Sequence, residues 1–389
     1  MAIEISKYYW NTKLNDIENT TKVLCLVSVL MFCTVIKALG NQSAVNSSTT
    51  TENDYTYELV DVKPLTPEGM HATSIQWSPD GKKIAFTLDK GLYVHVLDLS
   101  TREVKPVSQP DEGYSFHWSP DSKRILFYRG KVEFDDKTQI RDTKYWGIIV
   151  DIDNKTKKEF ESQFKAAPVE KWTEEDGIVV RSKGRELKSI DETGKIKPIN
   201  EKEKDKFVVY IDRQKASSTF TDEYVSGGFV NNVWIKKVNG SVNEQLTKEG
   251  GYYGAALSPN GKYVLAYAQG KHNGKGVYLT MVMDLQGRKI MEIKGSGNEV
   301  EDAHGNLGWS LDSRFLIGIK EYEESEWDIK ATEIVLFDVE NKKKYEITHT
   351  PNVVESSPSL SPDNKYVVFT DYSKSIICIG KLVKKVIKQ

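Results

Sequence analysis

Cysteine is scarce in this chain, and what there is builds no framework. Of three cysteines in 389 residues, Cys25 and Cys33 sit inside one apolar run, which leaves Cys378 alone in the remainder. A bridge needs two thiols, so a disulfide-stapled scaffold is excluded there. Charge of one sign is missing too: 54 Lys and Arg against 56 Asp and Glu give a net charge of -2. With no basic excess to neutralise a phosphate backbone, nucleic acid is not an expected partner. The longest apolar run is "VLCLVSVLMFCTVI" at residues 23–36, about 14 residues where a membrane-crossing helix needs roughly 20. Motifs of common catalysis are absent: there is no H-E-x-x-H, no C-x-x-C and no G-x-S-x-G, and the nearest, "GWSLD" at 308–312, belongs to a repeat. "DIDNKT" at 151–156 lacks the glycine and distal glutamate of a calcium loop. No catalytic residue, no metal ligand and no cofactor is expected.

The apolar run reads as the core of a signal peptide. Lys22 precedes it, and Ala38 and Gly40 offer small residues at the positions a signal peptidase reads. Phe32 before Cys33 and Leu24 before Cys25 are too bulky for a lipoprotein site. Residues 1–40 are therefore expected to be a signal peptide or, given the long leader ahead of the run, an uncleaved anchor. Residues 41–54, "NQSAVNSSTTTEND", are too poor in apolar side chains to fold and read as a polar linker. The folded domain is expected over 55–389, in the periplasm or secreted, touching a membrane only through an uncleaved N-terminus.

What the chain has in quantity is repetition. "WSPDGKKIAF" at residue 77 returns as "WSPDSKRILF" at 118, "LSPNGKYVLA" at 257, "WSLDSRFLIG" at 309 and "LSPDNKYVVF" at 360. Each copy is an apolar strand, a tight turn and a second alternating strand. Proline presets φ, Asp or Ser bonds the local backbone, and Gly or Asn accepts positive φ. A second hairpin follows each copy: "VLDLSTREVKPV", "IVDIDNKTKKEF", "LKSIDETGKIKPI", "IKKVNGSVNEQL", "VMDLQGRKIMEI", "LFDVENKKKYEI" and a degenerate "ICIGKLVKKVI". These recur about every 47 residues. Eroded first hairpins are expected around Trp172 and near "KFVVYID" at residue 206. Two hairpins per period are four strands per unit, and seven units predict an all-β fold, a β-propeller of seven four-stranded blades with six as the fallback. "YELVDVKPLT" at 57–66 matches the outer strand "EVKPVS" and is expected to complete the last blade, in competition with the C-terminal "LVKKVIKQ".

The Ser-Pro-Asp-Gly hairpins after tryptophan or leucine resemble the Trp-Ser-Pro-Asp-Gly repeat of TolB-like propellers, WD-repeat relatives found among bacterial envelope proteins. The resemblance covers 57–389 and departs at Leu311, at the two eroded units and in the number of units. It implies an exported, non-catalytic module that binds or scaffolds a protein of the envelope, or a secreted one.

Propeller connectivity puts the two short turns of each blade on one face, and the long second-to-third-strand loops and inter-blade links on the other. The variable face is the expected binding face. His71, Tyr114, Tyr252, His304 and Glu355 fall in the links around the channel mouth, and Tyr322 and Trp327 in a long loop. Such aromatics, acids and histidines suit a protein partner, a peptide or an oligosaccharide. His71, His117 and His304 each shortly precede a repeat tryptophan, as histidines hold a divalent ion in propeller-type oligogalacturonate lyases; a polysaccharide lyase or other glycan- or peptide-processing enzyme is the alternative reading. Mass spectrometry of protein from its native cell tests the export expectation: the mature chain should begin near Asn41, and residues 1–40 intact in a membrane fraction would replace the signal peptide with an anchor.

Overall fold

The computed structural model describes residues 54–387 except for 89–92, 110–111, 136–139, 163–168, 174–176, 182–186, 200–203, 205, 216–228, 273–274, 296–301 and 326–327. The expected signal peptide and nearly all of the linker lie outside these residues. The fold is an all-β, seven-bladed propeller. Six sheets have four strands, and blade 4 has three described strands. In chain order the blades span 72–106, 112–161, 169–197, 207–245, 252–294, 304–346 and 355–386. In blades 1 to 6 the described strands form a simple antiparallel meander in chain order.

The eroded unit at Trp172 forms the first hairpin of blade 3, pairing Val169–Thr173 with Gly177–Arg181. In blade 4, "KFVVYID" belongs to Phe207–Lys215, which pairs directly with Phe229–Lys237 ahead of the outer strand. It is therefore the second strand of that blade.

Blade 7 closes the ring. Its inner strands Glu355–Leu360 and Tyr366–Asp371 are followed by Ile376–Val386, and the outer place is taken by the first strand of the domain, Tyr55–Pro64. The two segments expected to compete for the edge are thus partners. The last repeat, "ICIGKLVKKVI", is one continuous strand and not a hairpin, because its outer partner comes from the other end of the domain. It passes Leu59 through Gly380, where a Cβ would lie 2.5 Å from the Leu59 side chain.

The core is divided among the gaps between blades. In blade 2, Ile125 and Phe127 pack with Ala85, Val94 and Val96 of blade 1, while Leu126 and Tyr128 pack with Ile178, Val180 and Ile190 of blade 3. Both faces of each blade are buried, which is why "ILFY" is apolar at every position although its strand alternates. Burial pushes the Tyr128 phenol up to about 12.

The repeat turns are closed by the side chains that define them. Ser78 Oγ donates to Asp80 Oδ1 at 2.6 Å and accepts the Lys83 N–H at 2.9 Å, while Asp80 Oδ1 accepts the Lys82 N–H at 3.1 Å. The same three bonds recur at Ser119–Asp121, Ser258–Asn260, Ser310–Asp312 and Ser361–Asp363. Gly81, Ser122, Gly261, Ser313 and Asn364 share the turn position of positive φ, between 57° and 70°. The turns also bond to each other around the ring: Asp80 N to Ser122 Oγ, Asn260 N to Ser313 Oγ, and Asn364 Nδ2 to Asp312 Oδ2. Proline's absence at Leu311 changes none of this; the Leu311 side chain is simply 60% exposed.

The repeat tryptophans tie blades together. Trp77 Nε1 donates to the Ser359 carbonyl of blade 7 at 3.1 Å, and Trp118 Nε1 to the Gln76 carbonyl of blade 1 at 3.3 Å. Trp309 stacks on Tyr263 of blade 5 with centroids 6.0 Å apart. Trp118 is buried, whereas Trp77 and Trp309 are half-buried. Replacing Trp118 with Ala should cost about 3–5 kcal/mol in urea unfolding, as aromatic core truncations do. A loss below about 1 kcal/mol would mean that the seam does not depend on this side chain.

Candidate functional site

The two faces of the ring differ in construction. On the face of the short turns, five first-hairpin turns are closed by their own Ser, Asp or Asn side chains. On the opposite face, segments expected to be loops are extensions of the second and third strands. In blade 2, Arg124–Asp135 pairs with Ile140–Asp151 all the way to Asp135 and Ile140, whereas the inner strand reaches only Arg129. In blade 6, Phe315–Ser325 pairs with Asp328–Asp338 to Ser325 and Asp328, whereas the inner strand stops at Ile319. Blades 4 and 5 have corresponding hairpins, Phe207–Lys215 with Phe229–Lys237 and Tyr263–His272 with Lys275–Asp284. Alternation in "KVEF" and "IKEYEE" carried this signal. Beyond the inner strands of blades 2, 5 and 6 these hairpins are two-stranded ribbons standing on this face.

Between blades 5 and 6, on the same face, lies a cluster of tyrosines. Tyr253 stacks on Tyr267 with centroids 6.1 Å apart and meets Tyr278 edge-on at 6.4 Å. Tyr253 and Tyr278 are 55% and 45% exposed. Tyr267 beneath them is held by the Leu307 backbone, and burial pushes its phenol up to about 12. A bulge creates the cluster. Tyr252 pairs with Ala268 and Gly254 with Tyr267, so Tyr253 is an extra residue on the inner strand. Corresponding register shifts occur at Ala72/Ser74 in blade 1 and Glu112/Tyr114 in blade 2.

Each sequence-derived candidate has a definite place or lies outside the described residues. Tyr252 is buried, 2% exposed, in the packing between blades 4 and 5, with its hydroxyl 3.3 Å from Glu249 Oε1. Glu355 is likewise buried, at 1%. Neither side chain presents itself to solvent: the bulge after Tyr252 turns Tyr253 outward in its place, and Glu355 is held inward by its hydrogen bonds. Tyr322 is 40% exposed under Lys320 Nζ, 4.8 Å from its ring centre. His71 packs edge-on against Tyr372 of blade 7 with centroids 4.2 Å apart. Tyr114 and His304 lie in inner strands whose backbone is described, but their side chains are outside the described set, and Trp327 is outside it altogether. His117 sits opposite Leu126 in the blade 2 sheet, where burial pushes its imidazole down to about 4. Among the described residues, no three His, Cys, Asp or Glu side chains are grouped to hold a metal.

Two buried acids close this face from below. Glu355 Oε2 accepts the Thr348 hydroxyl at 2.7 Å and the Ile334 N–H at 3.1 Å, and Oε1 accepts the Thr350 hydroxyl at 2.9 Å. These bonds fasten blade 7 to blade 6. Burial pushes Glu355 up to about 7, with Glu333 adding to the shift and the three donors opposing it. In blade 2, Glu112 Oε1 accepts from Arg129 at 2.9 Å, and Lys157 lies 3.4 Å from Oε2. Arg129 also reaches Glu159 at 3.1 Å and lies over the Trp146 ring at 5.5 Å. Every described donor at these acids comes from the fold itself.

Comparisons with known proteins agree with the fold and go no further. No protein-family model matches the chain, and no curated protein matches it. Among solved structures it is similar to Kuenenia stuttgartiensis hydrazine synthase, with 13% identity over 83% of this chain and 98% of that one and a TM-score of 0.52. It is also similar to the WD40 repeats of RRP9, with 11% identity over 85% and 100% and a TM-score of 0.51. An oligogalacturonate lyase in complex with manganese aligns with 14% identity over 85% and 96%. Its TM-score of 0.46 is too loose to carry an argument about a metal.

The raised Glu355 gives a pH signature. Below about pH 4.5 the carboxyl is protonated folded and unfolded. Between there and about 7 the folded chain keeps a proton that the unfolded chain has released. Stability should therefore fall as pH rises through this window, by roughly 3 kcal/mol in all. Glu355→Gln should flatten the dependence of urea unfolding between pH 5 and 7.5. An unchanged slope in the variant would assign the proton elsewhere.

Proposed function

We propose that this chain is an exported, non-catalytic propeller of the TolB-like kind that holds a protein partner in the cell envelope on the face of the projecting hairpins. One observation carries the reading: the asymmetry of the faces. The turn face spends its repeat polar groups on its own geometry. The opposite face raises paired ribbons and leaves Tyr253 and Tyr278 exposed on a buried third ring. Tyrosines set in this way give large, rigid contact area with a polar tip at little entropic cost, the chemistry typical of interface anchors. The lyase alternative has no such support, since His117 is packed into its blade and His71 against Tyr372.

Capture from an envelope fraction by the immobilised mature chain tests this. Tyr253→Ala with Tyr278→Ala should reduce recovery of the partner at least tenfold, about 1.4 kcal/mol or more of binding. Surface changes of this kind leave stability within about 0.5 kcal/mol. Glu340→Ala with Lys342→Asn, at a turn tip on the other face, should leave capture unchanged. If the tip variant lost the partner and the tyrosine variant kept it, the working face would be the other one.

A further inference from the structure

The ring closure leaves a pocket at its seam. It lies on the turn face, between blades 7 and 1, and encloses about 360 Å³. Its origin is a bulge in the first strand. Val60 pairs with Lys381 and Lys63 with Ile379, so Asp61 and Val62 stand opposite the single residue Gly380, one residue more than the ladder needs. Asp61 has a φ of 54°, and Val62 is pushed out to 48% exposure. The corresponding outer strand of blade 1 is only Val104–Pro106 and has no such insertion. The bulge lies beside the turns of blade 1, and Asp61 and Lys63 line the pocket together with Gly81, Leu99 and Arg102. The ring of Trp77 and the side chains of Leu65, Leu99 and Ile379 are left as an apolar floor. Trp77 is accordingly half-buried, while Trp118, its counterpart at the next seam, is 8% exposed.

The rim of this pocket is cationic. Lys63, Arg102 and Lys381 line it against the single acid Asp61. All four are exposed. Arg102 donates from Nη1 to the Pro64 carbonyl at 3.3 Å, which holds it against the bulged strand. The Trp77 indole N–H is already given to Ser359, so the floor offers an aromatic face and no donor. The volume is at the small end of the roughly 300–1,000 Å³ of ligand sites, which also combine an apolar lining with a few placed charges.

We propose that this seam pocket binds a small amphipathic anion, a carboxylate carried on one aromatic ring or branched aliphatic body. The body lies on Trp77, Leu65, Leu99 and Ile379, and the carboxylate meets Lys63, Lys381 and Arg102. The site is independent of the partner face, since it opens on the opposite side of the ring. Because it is built from the outer strand and its neighbour across the closure, an occupant also bridges the two ends of the domain and stabilises the ring by mass action.

Ligand-detected and protein-detected NMR of the whole mature chain with 4-phenylbutyrate as the probe tests the proposal. 4-Phenylbutylamine and inorganic phosphate serve as controls. Saturable one-site binding is expected, with perturbations at the Trp77 indole and a rise in melting temperature. The amine should bind at least tenfold more weakly, and equimolar phosphate should not displace the carboxylate. Lys63→Glu with Lys381→Glu, both exposed positions, should weaken binding at least tenfold while the unliganded melting temperature holds. No saturation at 5 mM probe, equal binding of the amine, displacement by phosphate alone, or an unchanged affinity in the double variant would each overturn it. Loss of the partner in the capture experiment with this variant would instead implicate the proposed function and not the pocket.

Discussion

The pairing of Tyr55–Pro64 with Ile376–Val386 is the contact on which the rest of the molecule depends. A propeller blade buries both sheet faces only if it has a neighbour on each side, so an open ring would expose two faces at once. Closure here reaches beyond blade 7. Tyr55, Tyr57 and Leu59 enter the core between blades 6 and 7 with Phe315, Leu336, Tyr345 and Leu382. The Leu59 N–H bonds the Ile347 carbonyl of blade 6 at 2.8 Å, and Thr66 Oγ1 accepts the Ile377 N–H at 2.9 Å on the way into blade 1. The first strand thus touches three blades.

Given a closed ring, the division of labour between its faces follows from strand geometry. The turns on one side are short, and in five blades Ser, Asp and Asn side chains fix one shared shape. Nothing demands such uniformity on the other side, where hairpins of different length and the bulges of the inner strands are free to vary. Loops and ribbons there cost little stability, which is why diversity of sequence collects on that face. The pocket at the seam is the exception on the uniform side, and it exists because closure brings together strands from opposite ends of the domain.

The sequence announced those features whose chemistry is local. The Ser78–Asp80 turn and its four repeats are legible because the residues that specify the turn are the ones that make its hydrogen bonds. The blade count followed from the period, and the closing strand from its likeness to "EVKPVS". What was not legible depends on register. Tyr252 was the evident aromatic of its link, yet a one-residue bulge buries it and turns Tyr253 outward. Glu355 reads as a mouth acid, but Thr348, Thr350 and the Ile334 amide, distant or on another blade, claim its oxygens. The long hairpins read as loops because charged and polar residues crowd their sequences. The seam pocket had no signal, since Lys63 and Lys381 meet only through long-range pairing.

Hydrogen exchange on a chain shortened to begin at residue 66 tests the dependence on closure most directly. The account predicts that amide protection falls around the whole ring, including the third strands of blades 4 and 5, because every blade relies on the same closed circle. Loss of protection confined to blades 6, 7 and 1, with blades 3 to 5 protected as in the intact chain, would contradict it and make each seam a local affair.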